Sequence, residues 1–200
     1  QVKFLDVEEP LEKCIADARA AGHTWLPVCR GNLDEVEGVV NAKDLFFLLS
    51  KGELRSLAQI QRPVLFVPYA GRFPTLGKRI LVAWNASREA ARAVSDALPL
   101  LARADSVQLV AFDPASADHG EVPAADVALY LARHGVKATA ARQSAPGLDI
   151  GSQILSRAAD TGADLVVMGG YGHSRLRELV LGGATRSMLE AMTVPVLMSH

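Results

Sequence analysis

The sequence predicts an α/β protein: a doubly wound, parallel, five-stranded sheet over residues 78–200, preceded by a small α+β module over residues 1–62. Three observations predict it. From Lys78 onward, short apolar runs alternate with longer segments whose apolar residues recur at helical spacing, the order that builds parallel sheets with right-handed crossovers. Leu165-Val166-Val167-Met168 is apolar without polar alternation, as in a strand covered on both faces. Residues 63–77 form a strand and a linker between the two parts, with Gly and Pro concentrated in residues 69–77.

In the small module, Val2 to Leu5 reads as a short strand. Pro10 stands where a helix can begin, Leu11, Cys14, Ile15 and Ala18 share one helical face, and Gly22 is a stop. Trp25 to Cys29 reads as a strand, Gly31 to Asp34 as a turn, and Val36 to Val40 as a second strand. Asn41 is placed to cap a helix over Lys43 to Ser50. Pro63 to Pro68 is a strand bounded by prolines.

In the larger part, Ile80 to Trp84 is an apolar strand. Ser87 is a cap for a helix over Arg88 to Leu98, with Ala90, Ala91, Val94 and Ala97 inward and Pro99 opening a further turn. Val107 to Phe112 is a strand, Pro123 to His134 a helix, and Val136 to Ala141 a less apolar strand suited to an edge. Asp149 to Thr161 is a helix stopped by Gly162. After Met168 come Gly169-Gly170-Tyr171-Gly172. A second pair, Gly182-Gly183, reads as the opening of a helix through Ala184 to Met192. Two glycine loops by one strand end, the second feeding a helix, is the layout of an anion site, where free N–H groups and the helix dipole favour phosphate. Glycines that only make turns are the competing reading.

Gly169, two residues, Gly172, nine residues, Gly182 resembles the nucleotide loop of the universal stress protein family. Arg79 to Ser87 (RILVAWNAS) resembles that family's first strand and turn, and Val194 to His200 (VPVLMSH) its last strand; Pro63 to Gly77 resembles the end of a preceding domain in tandem members. The resemblance implies a Rossmann-like nucleotide-binding fold. ATP, ADP or AMP would meet Ala83, Trp84, Asn85 and Ala111 with its adenosine, and Gly169, Gly172, His173, Gly182, Gly183, Ala184 and Thr185 with its phosphates. Two departures stand out. Gly183 occupies the place of a family Ser or Thr, which implies weak or altered ATP binding. Asn85-Ala86-Ser87 stands for the family's Asp-Gly-Ser. In the small module, Gly22 to Val28 (GHTWLPV) and Glu37 to Leu45 (EGVVNAKDL) resemble one CBS module, half of the usual pair, of the type attached to magnesium/cobalt efflux and haemolysin-type proteins. That resemblance implies a ribose contact at Asp44, although a carboxylate in a helix's first turn is favoured by the dipole alone.

Half of the 200 residues are hydrophobic and the formal net charge is −1, so a core can form and neither nucleic acid nor an anionic membrane is indicated as a partner. No apolar stretch approaches about 18 residues. Cys14 and Cys29 have no CxxC or Cys/His context and read as free buried thiols of a reducing cytosol, which makes the cytoplasm the expected compartment. The histidines lack metal spacing, and Ser174 and Ser187 have no evident base partner. Asp164 reads as a cap on the turn at Gly162.

Three functions follow as expectations. The first is a regulatory adenine-nucleotide-binding stress-response module, homodimeric through its C-terminal strand, with binding rather than robust catalysis. The second is an interaction domain that no longer binds nucleotide. The third is a slow hydrolase of adenosine phosphates. The strand at Val64 to Val67 is the alternative occupant of the C-terminal strand's edge.

Overall fold

A computed structural model describes residues 3–112, 124–170 and 178–199, and the chain divides between Val64 and Leu65 into two units. The smaller unit contains β1 (Leu5–Asp6), α1 (Leu11–Ala21), β2 (Trp25–Arg30), β3 (Asn32–Asn41), α2 (Ala42–Ser50) and a 3-10 turn at Leu57–Gln59. Its sheet runs β1-β2-β3, with β1 parallel and β3 antiparallel to β2. Pro10 precedes α1 and Gly22 ends it with φ 67, while the Asn41 side chain accepts from the Lys43 N–H at 2.9 Å. Leu5, Cys14, Leu26, Val28, Val40 and Leu45 close the core.

Three expectations shift here. The first strand is Leu5–Asp6. The turn at 31–34 contracts to Gly31, with φ 70, and β3 starts at Asn32. Register irregularities on either side of Cys29 let the longer strand pair, which a search for alternating residues misses. Both cysteines are free and buried, and burial pushes the Cys29 thiol up to about 11.

The larger unit carries β5 (Arg79–Trp84), α3 (Arg88–Leu101), β6 (Ser106–Phe112), α4 (Ala125–Arg133), β7 (Ala138–Gln143), α5 (Ile150–Thr161), β8 (Leu165–Gly169), α6 (Glu178–Ala191) and β9 (Val196–Ser199). With β4 (Val64–Phe66), they form a six-stranded sheet in the order β4-β9-β8-β5-β6-β7. The pairs β5–β6, β5–β8, β6–β7 and β8–β9 are parallel. Alternation along β5 explains the two layers. Ile80 and Val82 face a cluster with Ala93, Val94 and Ala97 of α3 and Leu131 of α4; Leu81 faces the opposite cluster with Ile154 and Ala158 of α5 and Met188 of α6. The less apolar β7 is an edge, as its composition predicts.

The sixth strand takes the alternative that the sequence offered for the edge of the C-terminal strand. β9 is flanked by β8 and β4, so the edge assigned to a second copy is occupied by the chain's own proline-bounded segment. The helix α3 runs unbroken through Pro99 to Leu101, with Ala93 buried and Ala91 exposed. Pro99 sits near the helix end, so the hydrogen bond its ring removes is one of the last. The expected start of α4 at Pro123 lies outside the described residues.

Asp164 does not cap the turn at Gly162. Its carboxylate accepts from the backbone N–H groups of Lys78 at 3.1 Å and Arg79 at 2.9 Å, tying the start of β8 to the start of β5. Burial works to raise its pKa, but these N–H donors and the Thr75 side chain hold it below 3.8.

Candidate functional site

Strand order reverses between β5 and β8, whose neighbours lie on opposite sides. In open α/β sheets that reversal leaves a crevice at the carboxyl ends of the strands, because the following connections diverge to opposite faces. Register brings the candidate residues to that end: Trp84 is paired with Ala111, and Ala83 with Met168, the residue before Gly169. Ala83 packs toward the α5–α6 layer and Trp84 toward the α3–α4 layer, so both side chains also serve the core. Ala111 is buried.

After β5 the chain turns sharply into α3. The Asn85 Oδ1 accepts from the Ser87 N–H at 3.1 Å and from the Ser87 Oγ–H at 2.7 Å, while Ser87 Oγ accepts from the Ala90 N–H at 3.1 Å. Asn85 therefore shapes the turn, and Ser87 caps the helix as predicted. Between them Ala86 holds φ 57, the left-handed region that disfavours a Cβ. Ala86→Gly is expected to raise unfolding stability by about 0.5–1 kcal/mol, the relieved strain exceeding glycine's added chain entropy. Urea denaturation checks this; an unchanged or lower midpoint would refute the strain.

Gly169 has a packing reason beyond any ligand. A Cβ built there would lie 2.6 Å from the Ala90 N and 2.8 Å from the Glu89 carbonyl carbon. The end of β8 thus touches the first turn of α3 backbone to backbone. The Glu89 side chain belongs to this contact and is buried, a feature the sequence reading did not select. Its helical position reads as an ordinary solvated first-turn acid, and only the missing Cβ at Gly169 brings the strand close enough to cover it. The next N–H, of Gly170, donates to the Ser199 carbonyl at 2.9 Å, and the Ser199 Oγ–H donates to Asp96 of α3 at 2.7 Å.

The second glycine pair needs correction. Helix α6 begins at Glu178, so Gly182 and Gly183 stand inside it rather than at its mouth. Only the first turn of a helix has free N–H groups, which moves the anion-attracting end to the neighbourhood of Glu178. Ala184 and Thr185 follow as buried positions of the same helix. Gly172 and His173 lie outside the described residues. The Arg186 Nε–H pairs with Glu190 at 2.8 Å along the exposed face of α6.

Ser187 does have a carboxylate partner: its Oγ–H donates to the Asp149 Oδ1 at 2.7 Å. Asp149 also caps α5 through the Ser152 N–H, and the hydroxyls of Ser152 and then Ser187 hold its pKa down to about 2. The Asp149–Ser187 contact joins the head of α5 to α6. Gly151 permits it, since a Cβ there would meet the Ala184 carbonyl oxygen and the Met188 nitrogen at 3.0 Å. The sequence reading placed Asp149 at the head of this helix but gave neither its capping role nor its partner across two helices.

In the smaller unit, Asp44 stands in the first turn of α2, and its Oδ2 accepts from Arg62 Nη2 at 3.0 Å. Among the described residues, no group of three or more His, Cys, Asp and Glu side chains is placed to hold a metal, and no helix is long and apolar enough to cross a membrane.

A model described as the Universal stress protein family matches residues 77–200. The N-terminal part is similar to the Magnesium and cobalt efflux protein CorC of Pasteurella multocida, 32% identical over 73 residues, 36% of this chain and 24% of that protein. It is also similar to a CBS domain protein from Shewanella oneidensis, with 31% identity, coverage of 30% of this chain and 49% of that one, and a TM-score of 0.30. A universal stress protein from Archaeoglobus fulgidus aligns with 96% of this chain and 65% of its own, at 17% identity and a TM-score of 0.56, a likeness of fold. The chain spans less than two thirds of each of these three relatives.

Proposed function

Over residues 77–200 the chain belongs to the universal stress protein family, and from that premise we propose that this part is a regulatory adenine-nucleotide-binding module acting in a stress response. The observation that carries the reading is the meeting of Ala83, Trp84, Asn85, Ala111 and Gly169 at the strand-order reversal. The base and ribose rest on the ends of β5 and β6. The phosphates lie between Gly169 and the head of α6, where unpaired N–H groups favour negative charge. Gly172 and His173 add phosphate contacts in this reading.

Affinity for ATP is weak, with little preference over ADP or AMP. Gly183 brings no hydroxyl to a terminal phosphate, and a hydrogen bond to a charged group typically contributes about 1.5–3 kcal/mol, roughly tenfold or more in affinity. Gly182 and Gly183, in the second turn of α6, offer no free helix-end N–H either. Titration calorimetry with ATP, ADP and AMP tests this. Three dissociation constants within about tenfold of one another are expected. Tight, triphosphate-selective binding would place the phosphate elsewhere.

A second reading, an interaction domain without nucleotide, is favoured by the inward packing of Trp84 and by the capture of the Asn85 Oδ1 within its own turn. Mass spectrometry of ligand released from the purified protein separates the two: a bound adenine nucleotide supports the first, and its absence together with silent calorimetry supports the second. We assign residues 1–62 to a CBS-like module. Its ribose contact at Asp44 requires that carboxylate to exchange Arg62 for a ligand.

A further inference from the structure

At the amino-terminal end of the six-stranded sheet, away from the nucleotide crevice, lies a cavity of about 320 Å³. One wall is the segment Arg72-Phe73-Pro74-Thr75; the rest comes from Arg79 at the start of β5, the end of α5 and the residues leading into β8 and β9. Three charged side chains line it: Arg72, Arg79 and Asp164.

The charges are unequally satisfied. Asp164 is engaged by the N–H groups of Lys78 and Arg79. At the end of α5, the Ala158 and Ala159 carbonyls already accept from the N–H groups of Ala163 and Gly162, at 2.8 and 3.1 Å. The Arg79 guanidinium lies over Gly162, where a built Cβ would be 3.4 Å from its Cζ and Nη2. Neither the Arg72 nor the Arg79 guanidinium has a hydrogen bond or ion pair with any described residue. Two guanidinium groups without a counter-ion among the described residues line one concave surface, and an oxyanion bound there accepts their paired N–H groups. Phe73, Pro74, Ala158, Ala163 and Val194 give the cavity an apolar portion, beside the hydroxyl-bearing Thr75 and Thr193.

We propose that this cavity binds a small organic anion, a single carboxylate on a compact apolar body. Its volume is at the lower end of the range of about 300–1,000 Å³ typical of small-molecule sites, too small for a nucleoside triphosphate. The carboxylate sits between Arg72 and Arg79, and the body lies against Phe73 and Val194. Because Arg72 to Thr75 form one wall, the occupant fastens the connecting segment to the base of the sheet.

Benzoate is the test probe, titrated into the full chain by NMR, with benzamide as its neutral analogue. Saturable benzoate binding is expected. It should weaken about tenfold or more in Arg72→Gln and in Arg79→Gln and for benzamide, as loss of a charged hydrogen bond dictates. Both side chains are exposed, so both variants should melt as the parent does; Arg72→Gln alone decides the matter if Arg79→Gln unfolds. Equal binding of benzamide, indifference to both substitutions, or inorganic phosphate binding as tightly as benzoate would each overturn the proposal. ATP affinity should be the same in Arg72→Gln as in the parent, which separates this site from the nucleotide crevice.

Discussion

Gly169→Ala is expected to lower unfolding stability by about 1–3 kcal/mol and to weaken any nucleotide binding with it, the range seen when a packed interior is forced to admit extra atoms. The new methyl would stand 2.6 Å from the Ala90 nitrogen and 2.8 Å from the Glu89 carbonyl carbon. Both are backbone atoms in the first turn of α3, so no rotamer change relieves the clash. Either β8 or the head of α3 must move, and Ser87, Asn85 and the crevice move with it. Chemical denaturation measures the loss. Parental stability in Gly169→Ala would show that strand and helix are not locked together, and the glycine would then be explained only by ligand approach.

Asp164→Ala is expected to destabilise by about 1–3 kcal/mol, the penalty for leaving donors of a charge-assisted contact unsatisfied. The N–H groups of Lys78 and Arg79 lose their acceptor, and the starts of β5 and β8 lose their common anchor. The carboxylate is partly solvated, so water repairs some of the damage and the lower half of that range is the better expectation. The pH dependence separates charge from geometry. The folded pKa of Asp164 lies below 3.8. Its contribution is therefore fully present above the unfolded value and is lost as pH falls through the lower folded value. Asp164→Asn should flatten that part of the acid limb. An unchanged limb would mean that the carboxylate contributes no charge-dependent stability.

The elements that could be read from sequence are those whose signals are local. Asn41 and Ser87 cap helices because a short polar side chain reaches an N–H two or three residues on. Gly22 and Gly162 stop helices by adopting the left-handed conformation. The two-layer core follows from period-2 alternation along β5. The failures share a different cause. Gly182-Gly183 reads as a breaker by propensity, yet α6 continues through it: Met188, deep in the opposite-face cluster, and the contact with Gly151 of α5 anchor the helix from outside the segment. The length of β3 depends on its partner's irregular register. The Asp149–Ser187 and Asp164–Lys78 contacts join residues 38 and 86 positions apart, and no local pattern announces them. Of the crevice, the strand ends were legible because apolar runs stop at them. The strain at Ala86 and the bare contact at Gly169 appear only in three dimensions.

The strand β4 gives the sheet a property that depends on covalent connectivity. Its place beside β9 is filled by a segment tethered through residues 67–78 to β5, so the pairing is unimolecular. Short flexible tethers hold their ends at effective concentrations of order millimolar. A second chain competing for the same edge must approach that concentration before displacing β4. The neighbour of β9 is thus set by the chain's own connectivity and is insensitive to how much of the protein a cell makes.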